Sequence, residues 1–300
     1  MRPEGPHGPW YPRAAGTLVV AAATTLGAIA AGGNGAMGGA VAGLAAAAGL
    51  HALLTRRQRA RRRLLQEPFP DAWRAILERR YEHYRRLPPE LRRRFEDDVR
   101  VFVAEKRVTG IETETTDELR VLVGASAITL SLGWPEFEWD AVTEVLLYPQ
   151  DFGRDYSFEK GELSGQAHAW GTVILSVPSL RQSFGHPDDA YHVGLHEFAH
   201  VLDMDQGSFD GVPAGFPRRL VGEWVDVMDE EMGRLRRGRS VIDSYGADEP
   251  AEFLAVAVEA FFQVPLDLRH HHRRLYGLLR DYFVQDPAAW DEARLGGLLR

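Results

Sequence analysis

Cysteine is absent from the 300 residues, and lysine occurs only at Lys106 and Lys160. Without thiols there is no disulfide framework and no thiolate metal site, so any bound metal has to be held by His, Asp or Glu. The shortage of lysine accompanies an excess of alanine, glycine and arginine, a compositional bias that carries no function. Charge is missing altogether between Ala14 and Leu54, and basic residues are short overall, 35 against 43 acids. The imbalance is uneven. Up to Gln66 eight arginines face the single acid Glu4, a net +7, which leaves −15 on the remainder. An acidic body behind a basic collar argues against nucleic acid as a partner.

The uncharged run reads "GTLVVAAATTLGAIAA" and "GAVAGLAAAAGLHALL" around "GGNGAMG", and "TRRQRARRR" follows it. A spanning helix needs about 20 apolar residues, and clustered arginine marks the cytoplasmic flank. The open alternatives are a helical hairpin turning at Gly32–Gly35, a single tilted helix, and a cleaved signal peptide. Positive charge placed after the run speaks against cleavage. Gly35, Gly39 and Gly43 recur every four residues, as in close helix packing within a bilayer. The expectation is a tail over 1–13, a transmembrane helix or hairpin over 14–55, and a basic linker over 56–65 meeting anionic lipid through Arg56–Arg63. The body, 66–300, would then face the cytoplasm from the inner membrane.

Within the body, "DAWRAILERRYEHYRRL" and "PPELRRRFEDDVRVFVAEKRV" carry apolar residues at helical spacing, and "LRVLVGASAITLSLG" is long enough for a third helix. "VTEVLLYP" and "GTVILSVPSL" are short, β-branched and aromatic, hence strands. From about Asp188 the chain reads as helices. The fold class is α+β.

"LHEFAH" places His196 and His200 four residues apart, so on a helix both imidazoles project from one face. Glu197 lies beside them with its carboxylate free to take a proton from water acidified by a metal. Asp188, after Pro187, is a plausible N-cap for this helix. A catalytic zinc needs three protein ligands and an open position. A third His at 206 would complete a metzincin pattern, but that residue is Gln206. "DEPAEFLAVAVEAFF" offers Glu252 and Glu259, seven residues apart on an apolar helix that has little reason to carry unpaired carboxylates. Spacing does not choose between them. Glu223 is a further alternative, on an acid-rich helix whose ordinary reading is a solvated face. Asp203, three residues past His200, reads equally well as a carboxylate orienting a ligand and as a polar helix end. His192 reads as structural, and "RHHHRR" at Arg269–Arg274 as a solvated basic face.

"HEFAHVLDMDQGSFDGVP" and "DSYGADEPAEFLAVAVEAFF", with "EVLLYP" and "GTVILS" upstream, resemble the Mlc titration factor A family of zinc-dependent peptidases, from about "EPFPDAW" to the C-terminus. The catalytic segment is also similar to that of anthrax lethal factor. The resemblance implies a mostly helical, zincin-like metallopeptidase domain with a small sheet. It implies one Zn2+ per chain on His196, His200 and Glu252, with Glu197 as general base and Tyr245 steadying the oxyanion. It makes Glu259 the carboxylate that orients a ligand imidazole. The substrate would be a peptide docked by strand addition, with Trp170–Val177 the expected edge. The family's name also implies a transcriptional-repressor partner. The alternative function is therefore a membrane-tethered binding protein in which zinc is structural.

Overall fold

A computed structural model describes residues 36–153, 156–157, 162–204, 209–238 and 240–298. The chain divides into two compact units, one ending at Pro68 and one running from Phe69 to the C-terminus. In the first unit α1 (Ala36–Leu54) is followed by α2 (Arg56–Leu64), which buries none of its residues. Among the described residues no helix is long and apolar enough to cross a membrane. This overturns the transmembrane helix or hairpin expected over 14–55. The helix found there is mostly alanine and glycine, and those residues gain little on transfer to lipid, however long their run without charge. The bilayer and the anionic lipid expected at Arg56–Arg63 lose the spanning helix on which they rested. The expected tail and the first half of the apolar run, up to residue 35, lie outside the described residues.

The second unit is mostly helical with a small mixed sheet. In chain order it contains α3 (Asp71–Arg80), α4 (Glu82–Arg86), α5 (Pro89–Glu105), β1 (Arg107–Gly110), α6 (Asp117–Ser131), β2 (Glu144–Tyr148), β3 (Gly165–Ala167) and β4 (Thr172–Ser176). There follow α7 (Val177–Gly185), α8 (Val193–Met204), α9 (Val221–Leu235), a 3-10 turn (Ser244–Ala247), α10 (Pro250–Gln263), α11 (Pro265–His271), α12 (Arg273–Phe283) and α13 (Pro287–Leu298). Helices α6 and α10 are predominantly apolar and almost wholly buried, as befits central elements, and α8 packs against both.

The sheet order is β1-β2-β4-β3. The first three strands are parallel, in register Val108↔Val145 and Val145↔Val173, and β3 runs antiparallel to β4 with Gln166 opposite Ile174. Val145, Leu147, Val173 and Leu175 face the main core, while Leu146 and Ile174 face a smaller cluster with Tyr148 and Phe152. The two faces alternate as the pleat demands. β4 lies between β2 and β3, so Trp170–Val177 is not the edge expected; the edges are β1 and β3, and β3 is the one beside Glu197. Its three residues have no β-branched or aromatic side chain to announce a strand.

Two histidines, His83 and His192, sit deep in the aromatic core. His83, between the rings of Tyr81, Phe262 and Trp290, has no hydrogen-bond partner at either nitrogen among the described residues. Burial, with lesser repulsion from Arg86 and His192, pushes its pKa down to about 3. A histidine depressed from its ordinary 6.5 favours the folded state above that pH and progressively less below it. Unfolding free energy measured by urea titration is expected to fall as pH is lowered from 6.5 to 4.5. His83 accounts for about 1.4 kcal/mol per pH unit of that fall. The slope should be shallower in His83→Phe; identical slopes would remove His83 as the cause.

Candidate metal centre

Helix α8 begins at Val193, five residues beyond the expected Asp188 cap, and its first turn is secured by side chains. The His192 ring accepts the Leu195 amide at Nδ1 (3.2 Å), and Ser183 Oγ accepts the Val193 amide (3.0 Å). Glu259 of α10 accepts the His192 amide (2.6 Å). Burial pushes the pKa of His192 down to about 3, and the ring caps the helix without joining the donor group or lining the cleft. The helix lies tight on α6: a Cβ on Gly194 would stand 2.2 Å from Ser126 Oγ.

This placement turns His196 and His200 toward the first turn of α10. His196 Nε2 lies 3.1 Å from His200 Nε2 and 3.1 Å from Glu252 Oε2, and His200 Nε2 lies 3.4 Å from the same oxygen. Three donor atoms so spaced form a triangle. With bonds of about 2.0–2.1 Å to zinc, adjacent donors of a tetrahedral site stand about 3.3 Å apart, so the triangle is one face of such a site. Two imidazoles and a carboxylate, with no thiolate anywhere in the chain, suit a divalent metal.

Glu259 fixes the chemistry of the first ligand. Its Oε1 accepts His196 Nδ1–H at 2.5 Å while its Oε2 holds the His192 amide. The hydrogen bond keeps a proton on Nδ1, so Nε2, which faces Glu252 and His200, is the nitrogen left to bind a metal. The electrostatics agree. Burial opposes charge on His196, but Glu259 and Glu252 outweigh it and raise its pKa well above the ordinary value. Burial also opposes the Glu252 anion, yet His196 and His200 hold that carboxyl down at about 2. Both directions describe a pocket prepared for positive charge.

Glu197 lies in the same cleft as this triangle, against the edge of the sheet. It is buried, its Oε2 has no partner among the described residues, and burial raises its pKa against the opposing pull of His196 and His200. Gly165 of β3 is what admits it, since a Cβ there would stand 2.5 Å from Glu197 Oε1. Tyr245 rides on the 3-10 turn, its amide capped by Asp243 (2.8 Å) and its ring 6.3 Å from that of His196. All of these line one cleft of about 560 Å3, together with Phe209, Tyr191 and the β3 segment from Leu163 to Ala167. Phe209, over the His200 ring at 5.2 Å, and the whole β3 wall escaped sequence reasoning. No periodic pattern marks either.

Other expectations fall elsewhere. Asp203 is buried, with its pKa raised by burial to about 6. Its carboxylate holds the Gly211 amide (3.0 and 3.1 Å), not an imidazole. Gly211, at φ +75°, abuts Pro250 at the head of α10, so Asp203 ties the end of α8 to the start of the other ligand helix. Glu223 is exposed on α9 and does not line the cleft. The basic face expected at Arg269–Arg274 holds for His270 and His271 but not for His272. That ring is buried between Glu231 (2.7 Å) and Ser240 (3.2 Å).

Comparison with known proteins adds the following. The family described as Glucose-regulated metallo-peptidase M90 matches residues 55–284. An uncharacterized protein of Synechocystis is 31% identical over 242 residues, covering 75% of this chain and 88% of that one. Mlc titration factor A of Edwardsiella ictaluri is 30% identical over 186 residues, 56% of this chain and 69% of the relative. The same-named protein of Escherichia fergusonii is 30% identical over 207 residues, 62% and 76% respectively.

The geometry predicts a stoichiometric metal site tuned by a residue that does not touch the metal. In competition with a chromophoric chelator, wild-type protein should take up one zinc. Glu259→Gln should bind it about ten- to a hundredfold more weakly, and Glu223→Gln as wild type. Equal affinities for the Glu259 variant and wild type would remove its role.

Proposed function

For a chain that belongs to the glucose-regulated metallo-peptidase family M90, we propose a zinc-dependent hydrolysis of peptide bonds in which His196, His200 and Glu252 hold the metal and Glu197 is the general base. The observation that carries this reading is the Glu197 carboxylate, buried beside the donor triangle with an unpartnered oxygen. A purely structural site has no use for such a group. A divalent ion held by the three donors supplies Lewis acidity toward water and toward a peptide carbonyl.

The chain's own groups do the remaining work. Glu197 takes the proton of the attacking water and delivers it to the departing amine. Burial raises its pKa, which makes it a stronger base than an exposed carboxylate. The Tyr245 hydroxyl, at the mouth of the cleft, donates to the oxyanion. Substrate is held on β3. Ser176 N–H bonds to Ser164 O (2.8 Å) and His168 N–H to Thr172 O (2.9 Å). Even-numbered residues of this strand therefore turn their main chain toward β4, while Gly165 and Ala167 turn theirs to the open edge. A peptide strand pairing there passes the Glu197 carboxylate. Asp203 and Glu259 act at one remove, the first joining the two ligand helices and the second orienting His196.

The alternative of a regulatory binding protein, prompted by relatives named Mlc titration factor A, has no geometric feature in its favour among the described residues of the metal centre. A repressor partner stays a matter of those relatives' name.

Zinc-loaded Glu197→Gln is expected to keep its metal and lose about a thousandfold in kcat on a chromogenic peptide library. Zinc bound with undiminished turnover would reject Glu197 as base. Gly165→Ala, which crowds the same carboxylate without altering a ligand, is expected to lower kcat by about tenfold or more at unchanged zinc content. Tyr245→Phe should cost about a hundredfold in kcat with little change in KM. A loss confined to KM would assign Tyr245 to binding instead.

A further inference from the structure

Beyond Ala167 the edge strand runs into a feature that bond cleavage does not use. The small core on the outer face of the sheet contains Tyr148 and Phe152 with ring centroids 5.0 Å apart. Tyr156 stacks over Phe152 at 6.5 Å and 19°, and its hydroxyl hydrogen-bonds His168 Nε2 (3.3 Å). His168 in turn lies flat against Trp170, 4.2 Å away and inclined by only 9°. The ladder of rings thus climbs from a fully buried phenylalanine to an indole that is 69% exposed. Tyr156 keeps its place in it at a φ of +62°, a left-handed conformation that a bulky L-residue rarely adopts. Gln166, on the cleft wall between Gly165 and this ledge, has a buried Oε1 with no partner among the described residues.

An exposed tryptophan fixed by stacking presents a rigid apolar face whose conformational freedom is already spent, which is how aromatic anchors of binding surfaces work. Its position is set by the strand. From Gly165 to His168 is three residues, about 10 Å at strand spacing. A chain paired on the edge passes the ledge about three to five residues from the bond beside Glu197. Side chains alternate across the pleat, so every second one falls on the face that carries Gln166 and His168.

We propose that Tyr156, His168 and Trp170 form a remote subsite that selects peptides with an apolar, preferably aromatic, side chain three to five residues from the cleaved bond, with Gln166 Oε1 accepting a main-chain amide of the same strand. This rests on the peptidase reading for the position of the bond. It extends that reading to substrate class: extended polypeptide segments, with the ledge adding nothing for di- and tripeptides too short to reach it.

The test uses the full-length, zinc-loaded protein with Trp170→Ala and Trp170→Phe, a tripeptide amide, and decapeptides carrying Phe or Ala at the third to fifth positions on either side of the cleaved bond. Cleavage is followed in the wild-type background, and decapeptide binding by fluorescence anisotropy in Glu197→Gln. Trp170→Ala is expected to raise KM and Kd for the Phe decapeptides by about tenfold, the scale of one aromatic contact. Kinetics on the tripeptide should not change, the Ala decapeptides should be insensitive, and Trp170→Phe should retain the preference. Equal KM and Kd in wild type and Trp170→Ala, or an equal change on short and long peptides, overturns the subsite while leaving the peptidase reading intact. If nothing is cleaved but the Trp170-dependent Kd difference persists, the peptidase reading falls and the subsite stands. If nothing is cleaved and no decapeptide binds, both fall.

Discussion

The Glu259 carboxylate is the joint on which the site turns. One oxygen holds the His196 ring and the other holds the amide of His192 at the head of the same helix. A single buried anion thus sets the tautomer of a ligand, satisfies a helix terminus and fastens α10 to α8. Buried carboxylates are costly unless every lone pair is engaged. Here the engagement comes from groups that have to be placed anyway for metal binding. The positive charge that a metal brings to the neighbouring triangle completes the compensation, so the apolar surroundings of α10 and its two acids are not in conflict.

Around that joint the packing leaves little latitude. Gly194 lets α8 approach α6, and Gly165 lets the sheet edge approach Glu197. Asp203 holds the Gly211 amide against the start of α10. Each is a close approach of backbone to its neighbour, where one added methyl would force something to shift. The site's precision therefore comes from rigid elements pressed together, while the Tyr245 turn, Phe209, Tyr191 and the segment leading into β3 complete the cleft wall.

How much of this could be read in the sequence followed the range of the interactions. His196, Glu197 and His200 were legible because helical periodicity puts residues four apart on one face. Glu252 and Glu259 were visible as anomalies on an apolar helix. Their division of labour was not legible, because it depends on which turn of α10 meets α8. Strands β2 and β4 announced themselves by branched side chains, whereas β3 is three residues, Gly165, Gln166 and Ala167, held by one neighbour. Asp203 was left open between two roles and His272 was misjudged for the same reason: their partners, Gly211 and Glu231, lie 8 and 41 residues away. The apolar N-terminal run shows the opposite error. Absence of charge over many residues was taken as affinity for lipid, when alanine and glycine supply length without much hydrophobic gain.

The split of the donor set between two helices also bears on the order in which the molecule can assemble. His196 and His200 are brought together as soon as one helix forms, but Glu252 and Glu259 lie 56 and 63 residues from His196 along the chain. Closing that loop is a late, non-local step. A nascent chain can therefore present a two-histidine chelate well before the third donor and the orienting carboxylate arrive. A metal captured at that stage is held in an open, exchangeable form, and tight retention marks the moment at which α10 docks. Metal occupancy in this architecture is a report on the completion of the C-terminal third of the fold.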